Sequence, residues 1–232
     1  MRSGIAFALH RHKYAALLAL LLVVLAIQSL DARPGAGRLL NEAFRTVLGV
    51  AILVVVFERR RERAFMAAIL AAAVAIGWGR HLSSASLDYA LSLALRALMS
   101  LYLWLAVWAI LRDLFGKPAT GAANVVGAIC GYIIAGDAWA NTNAIAYLLV
   151  PAAYSINPEV NALLADWQGR LALFSYYSFA QMLTIGYADV TPVRVPATTL
   201  SLLGALFGLF YTAVVVSQFV GLAQSARRET PS

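Results

Sequence analysis

The residues of this chain best suited to chemistry with an ion are Thr184-Ile185-Gly186-Tyr187-Ala188-Asp189. They follow a moderately apolar run, Leu171 to Leu183, that is too short to cross a bilayer. Both lie in a connection of about 40 residues, Ser155 to Val195, between two long apolar spans. Connections of that length are uncommon and are usually functional. A half-length helix and a glycine-containing loop between full spans imply a re-entrant element, because irregular backbone at membrane depth must be buried in protein or line a wet cavity. The chemistry open to such a loop is to offer a dehydrated cation backbone carbonyl oxygens in place of its hydration shell, and four chains around one axis supply them as rings.

Two ionisable residues also fall inside apolar spans. Asp137 lies near Asn141 and Asn143 in the fifth span, and Arg96 is the lone arginine of the fourth. An intramembrane charge is expensive unless paired or hydrated. Rise per residue puts Asp137 and Arg96 at similar depth in the outer half of the bilayer, so a structural ion pair is one reading. A polar contact with the back of the loop or with a neighbouring subunit is the other. Trp104 and Trp108 read as packing or interfacial anchors. A voltage sensor needs several regularly spaced arginines, and Arg96 alone does not make one. An enzyme is not expected, since neither His-Glu-x-x-His nor Gly-x-Ser-x-Gly occurs and His10, His12 and His81 fall at span ends or in loops.

The elements that must position these residues are written in the composition. Of the 232 residues, 62% are hydrophobic and 12% charged, against roughly 45–50% and about 25% in soluble domains, which argues against a soluble globular fold. A single cysteine, Cys130, excludes a disulfide scaffold and reads as a small packing residue. Six apolar stretches approach spanning length, near Tyr14–Leu30, Leu40–Phe57, Phe65–Trp78, Ala90–Leu111, Ala122–Tyr154 and Pro196–Gln224. The third is the shortest, and it reads as a short span or a re-entrant piece. No small-x-small cleavage site follows the first, which is therefore expected to stay as a helix rather than leave as a signal peptide.

The formal net charge is +7. Most of the lysine and arginine lies in alternate connections: Arg2, Arg11 and Lys13; Arg59, Arg60, Arg61 and Arg63; Arg112 and Lys117; Arg227 and Arg228. That pattern places both termini in the cytoplasm. Clustering between spans makes the charge a topology signal rather than a nucleic-acid surface, with a lipid-headgroup or partner site as the other reading of Arg59 to Arg63.

From about Ala119 to Gln224 the chain resembles the pore domain of tetrameric potassium channels, whose filter is usually Thr-Val-Gly-Tyr-Gly-Asp. The resemblance covers an outer helix, a pore helix with Tyr176-Tyr177-Ser178-Phe179, the filter hexapeptide, Val190-Thr191-Pro192 after it and an inner helix. It is nearest to the small bacterial ion-channel proteins that carry extra membrane helices before one pore unit. The expected fold is an all-α membrane protein of about six transmembrane helices with a re-entrant pore helix between the last two. Residues 1–118 form an N-terminal four-helix region, 119–224 the pore domain and 225–232 a short cytoplasmic tail. No attached ligand-binding domain is expected there.

The resemblance implies potassium conduction in the cell inner (plasma) membrane by a homotetramer. Its partners are three identical subunits and membrane lipid, with no nucleic acid, and no cofactor beyond potassium ions in the filter. Carbonyls of Thr184, Ile185, Gly186 and Tyr187 line the sites, with the Thr184 hydroxyl at the inner end. Aiming successive carbonyls to one side requires alternating backbone handedness, which Gly186 permits because it lacks a Cβ. Ile185 and Tyr187 then turn away from the axis, Tyr187 towards Tyr176, Tyr177 or Phe179.

Three positions depart from the family pattern. Ala188 replaces the second filter glycine, and a left-handed alanine is unfavourable by roughly 1–2 kcal/mol. Leu183 stands where threonine is common, and Ala180 where some members carry a carboxylate. These changes leave a poorly selective cation pore or a non-conducting accessory subunit as alternatives. In the inner helix Pro196 suits a first turn. Gly208 has two readings, a hinge or close packing with Gly204, while Val215, Gln218 and Phe219 are candidates for an inner constriction.

Overall fold

The computed structural model describes residues 14–26, 36–80, 88–116, 122–165, 167–187 and 189–228. Ala188, the three histidines and the positions Arg2, Arg11, Lys13 and Lys117 fall outside them, as do the side chains of Gln218 and Phe219.

Seven α-helices account for nearly all of it. They are α1 (Tyr14–Ala26), α2 (Ala36–Val56), α3 (Arg60–Gly79), α4 (Asp88–Gly116), α5 (Ala122–Leu149), α6 (Trp167–Met182) and α7 (Val195–Arg228). Among the described residues four segments are long and apolar enough to cross a membrane: Leu39–Val56, Arg60–Gly79, Tyr89–Leu114 and Val195–Ser217. The third of the expected spans begins at Arg60 rather than at Phe65, so the charged run Arg60 to Arg63 opens the helix. Glu62 sits in that first turn, where the helix dipole favours a negative charge. It also receives both guanidinium nitrogens of Arg112, at 3.1 and 3.2 Å, tying the start of α3 to the end of α4.

α5 runs for 28 residues and ends at Leu149, short of the expected Tyr154. It stands at the centre of the bundle, and Ala128, Ala135, Ala138 and Ala140 on it are almost fully buried. Small residues let neighbouring helices approach closely. A Cβ on Gly136 would fall within the ring of Phe179 of α6, and one on Gly131 would meet the hydroxyl of Tyr211 of α7. That hydroxyl donates to the carbonyl of Ala128 at 2.8 Å. Trp104 of α4 meets Trp139 of α5 edge-on at 5.1 Å and Phe207 of α7 at 5.6 Å, so it is a packing residue. Trp108, one turn on, is 58% exposed and lies beneath the Arg112 guanidinium at 4.8 Å.

The connection after α5 contains more regular structure than the sequence implies. β1 (Tyr154–Ile156) pairs antiparallel with β2 (Val190–Pro192), matching Tyr154 with Pro192, Ser155 with Thr191 and Ile156 with Val190. A 3-10 helix, Pro158–Ala165, leads into α6, which begins at Trp167 rather than at Leu171. The two-stranded ribbon clips the start of the connection to the residues that follow the loop. A second apolar core, distinct from the larger one that α1 to α5 build with Met182 of α6, gathers Ala144, Tyr154, Leu171, Phe174, Tyr177, Val190 and Ala197 around it.

Candidate functional site

α6 is held by aromatic contacts and by hydrogen bonds to α5 and α7. Phe174 is fully buried and meets Tyr154 edge-on at 5.2 Å and Tyr147 at 5.5 Å. Asn143 of α5 donates to Ser178 at 3.2 Å and accepts from Tyr154 at 2.8 Å. Towards α7, the Gln181 amide donates to the Tyr177 hydroxyl at 2.6 Å, and that hydroxyl lies 2.5 Å from Ser201 Oγ. Ser201 donates to its own helix at Ala197, 2.7 Å away. With the Ser201 proton so committed, the Tyr177 proton must point to Ser201, which orients the whole chain of donors.

The helix then ends in a defined way. The Thr184 amide donates to Gln181 at 2.9 Å and the Ile185 amide to Ala180 at 2.8 Å, with Gly186 adding a 3.3 Å bond to the same carbonyl. Bonds from the two residues after the cap to these carbonyls are a Schellman closure, which needs a left-handed residue at its centre. Thr184 occupies that position at φ 58°, although glycine is the usual choice, and Gly186 follows at φ 67°. Ile185 and Tyr187 keep ordinary negative φ, so the backbone alternates in handedness from Thr184 to Tyr187.

Alternation of this kind sets successive amides on one side of the chain. Here that side is the end of α6. Among the described residues no peptide bond is cis, and in a trans peptide the carbonyl points opposite to the following amide. The carbonyls of Leu183, Thr184 and Ile185 are therefore directed away from α6. Leu183 O accepts the Thr184 hydroxyl at 2.7 Å. Among the described residues, no hydrogen bond to the Thr184, Ile185 or Gly186 carbonyl is found. Leu183, Ile185 and Tyr187 are each about half exposed, at 53%, 51% and 53%.

Of the three aromatic residues expected behind Tyr187, the structure places Tyr176 there, with the rings stacked at 5.6 Å and 14°. Tyr176 donates to Asp189 Oδ2 at 3.2 Å, and Asn157 donates to Oδ1 at 3.3 Å. The Asn157 amide also bonds the Asp189 carbonyl at 2.9 Å, extending the ribbon by one pair. Asn157 is a site residue that sequence reading missed. Its role depends on strand register, and a lone Asn before Pro158 reads only as a turn.

Two other expectations are altered. A Cβ on Gly208 would lie on the backbone of Met182, whereas one on Gly204 would keep ordinary contact, 3.6 Å from Gln181 and 3.7 Å from Trp139. Of its two readings, Gly208 has the geometry of close packing, at the point where α7 crosses the end of α6. The expected Arg96–Asp137 pair is not the contact made. Arg96 donates to Asn141 at 3.2 Å and to the Trp167 carbonyl at 3.5 Å. Asn141, one turn beyond Asp137, donates back to the Asp137 carbonyl at 2.8 Å. Both charged residues line one cavity of about 60 Å³ together with Glu42 and Arg45. It is room for a few water molecules, so the charges share a pocket without direct contact.

No family model, no curated protein and no solved structure matches the chain.

Proposed function

We propose that the chain is one subunit of a fourfold potassium-conducting channel in the cell inner (plasma) membrane, with α1, α2, α3, α4, α5 and α7 crossing the bilayer, α6 re-entrant, and both termini cytoplasmic. One observation carries this reading: the alternating backbone turns the amides of Thr184, Ile185 and Gly186 into α6 and the carbonyl oxygens of Thr184 and Ile185 outward, without hydrogen-bond partners among the described residues. Unpaired carbonyls in an apolar setting are unfavourable, and a dehydrated cation on the axis of four such loops satisfies them.

The apolar surface of α7 supports the assembly. Its spanning segment is only 17% buried, and Leu202, Leu203, Leu209 and Phe210 are 47–64% exposed. This is the helix that packs around the axis in the proposed tetramer. In this reading the loop holds potassium ions, the chain assembles with three identical subunits in membrane lipid, and no catalysis is assigned.

Purified protein in liposomes tests the reading by potassium flux and by reversal potentials under bi-ionic conditions. Potassium-selective current is the expected result. Current without selectivity favours the poorly selective pore, and no current from a well-folded sample favours an accessory subunit.

A further inference from the structure

Two buried arginines from the N-terminal helices converge on one ring. Arg80, at the C-terminal cap of α3, lies 4.6 Å from the centre of the Trp167 indole, and Arg96 of α4 lies 5.5 Å from it. Only 7% of Arg80 and 5% of Arg96 is exposed. Trp167 is the first residue of α6, and Arg96 fastens the same turn by donating to the Trp167 carbonyl while its other nitrogen reaches Asn141 of α5. The cavity beside this group, with Glu42, Arg45 and Asp137 on its wall, adds further charge between α2, α4 and α5.

Charges so buried are unfavourable unless other groups compensate them. A helix N-terminus also carries partial positive charge, so guanidinium groups there oppose the dipole. The indole face is one favourable partner that both share, and it attracts a cation most strongly among the aromatic rings and more so when water is excluded. Packing α3 and α4 to each other requires none of this.

We infer that Trp167 is the handle by which α3 and α4 hold the outer end of α6: a positioning residue through which the N-terminal helices set the tilt of that helix and so the placing of the loop after Met182. The inference rests on the reading of α6 as a pore helix for its functional consequence, though not for the contact itself. A 16-residue helix is a rigid lever about 24 Å long. A change in the seat of Trp167 is therefore felt at its far end, where Gly208 leaves no slack against Met182.

The test compares Trp167→Leu and Arg80→Gln with Trp167→Phe and Arg80→Lys in the full chain in liposomes. Two readouts are taken, hydrogen exchange of the Leu171 to Phe174 amides and the potassium-to-sodium permeability ratio. Trp167→Leu and Arg80→Gln should speed exchange about tenfold in α6 while the amides of Tyr102 to Ala106 in α4 are unchanged, and the same two should lower the permeability ratio. The Phe and Lys variants, which keep an aromatic face and a cation, should stay within about twofold of the parent. Arg80→Gln carries the test alone should Trp167→Leu not fold. Unchanged exchange in the Leu and Gln variants, or equal acceleration in all four, overturns the inference. If the exchange split appears in a protein that passes no potassium, the handle stands and the channel reading fails.

Discussion

Tyr176 and Asp189, thirteen residues apart, are joined by a 3.2 Å hydrogen bond from phenol to carboxylate across the whole loop, and the Tyr176 ring is also stacked on Tyr187. One side chain of α6 thus braces the loop at two points, by dispersion at Tyr187 and by a charge-assisted bond at Asp189. Asn157 holds the other carboxylate oxygen from the ribbon.

Removing the Tyr176 hydroxyl separates the two functions. Tyr176→Phe keeps the stacked ring but loses the bond to a charged group, a loss of about 1.5–3 kcal/mol when buried and less at this exposed site. The variant should assemble but lose potassium-dependent thermal stability, and Tyr176→Leu should lose more. Equal melting of the parent and both variants, with and without potassium, would remove the brace from the account.

The proposed stoichiometry is checked without any current. One chain supplies one strand of carbonyls, and a ring needs four. Native mass measurement or graded crosslinking in mild detergent should converge on a tetramer, and a stable monomer or dimer as the largest species would sink the proposal.

Gly208 and Gly204 should behave differently. Gly208→Ala drives a methyl group into the Met182 backbone and should destabilise by about 1–3 kcal/mol, the usual cost of overpacking. Gly204→Ala meets only ordinary contact distances and should be tolerated. A functional hinge without a packing role would instead leave the stability of Gly208→Ala near the parent while altering gating.

The Arg96 contact predicts where energetic coupling resides. In double-mutant cycles, Arg96 with Asn141 should show a coupling of about 0.5–3 kcal/mol, since they share a hydrogen bond. Asp137→Asn combined with Arg96→Lys should be closer to additive. The reverse ranking would restore the direct ion pair.

The helices long and apolar enough to cross a membrane, α2, α3, α4 and α7, were legible in the sequence because hydropathy over about 20 residues is a local property of the chain. The hexapeptide after a half-length apolar run was legible for the same reason, and so was the need for positive φ at Gly186, which lacks a Cβ. What the sequence did not disclose are relations between distant residues. β1 and β2 are three residues each, and only their pairing across the loop makes them strands. Thr184 has positive φ, against its intrinsic preference, because Ala180 and Gln181 present carbonyls that its turn satisfies. The partner of Arg96 was decided by one helical turn, since rise per residue fixes depth along a helix but not which neighbour the guanidinium meets. Periodicity and composition act along the chain, whereas register, capping and the choice of ion partner are settled by which surfaces the bundle brings into contact.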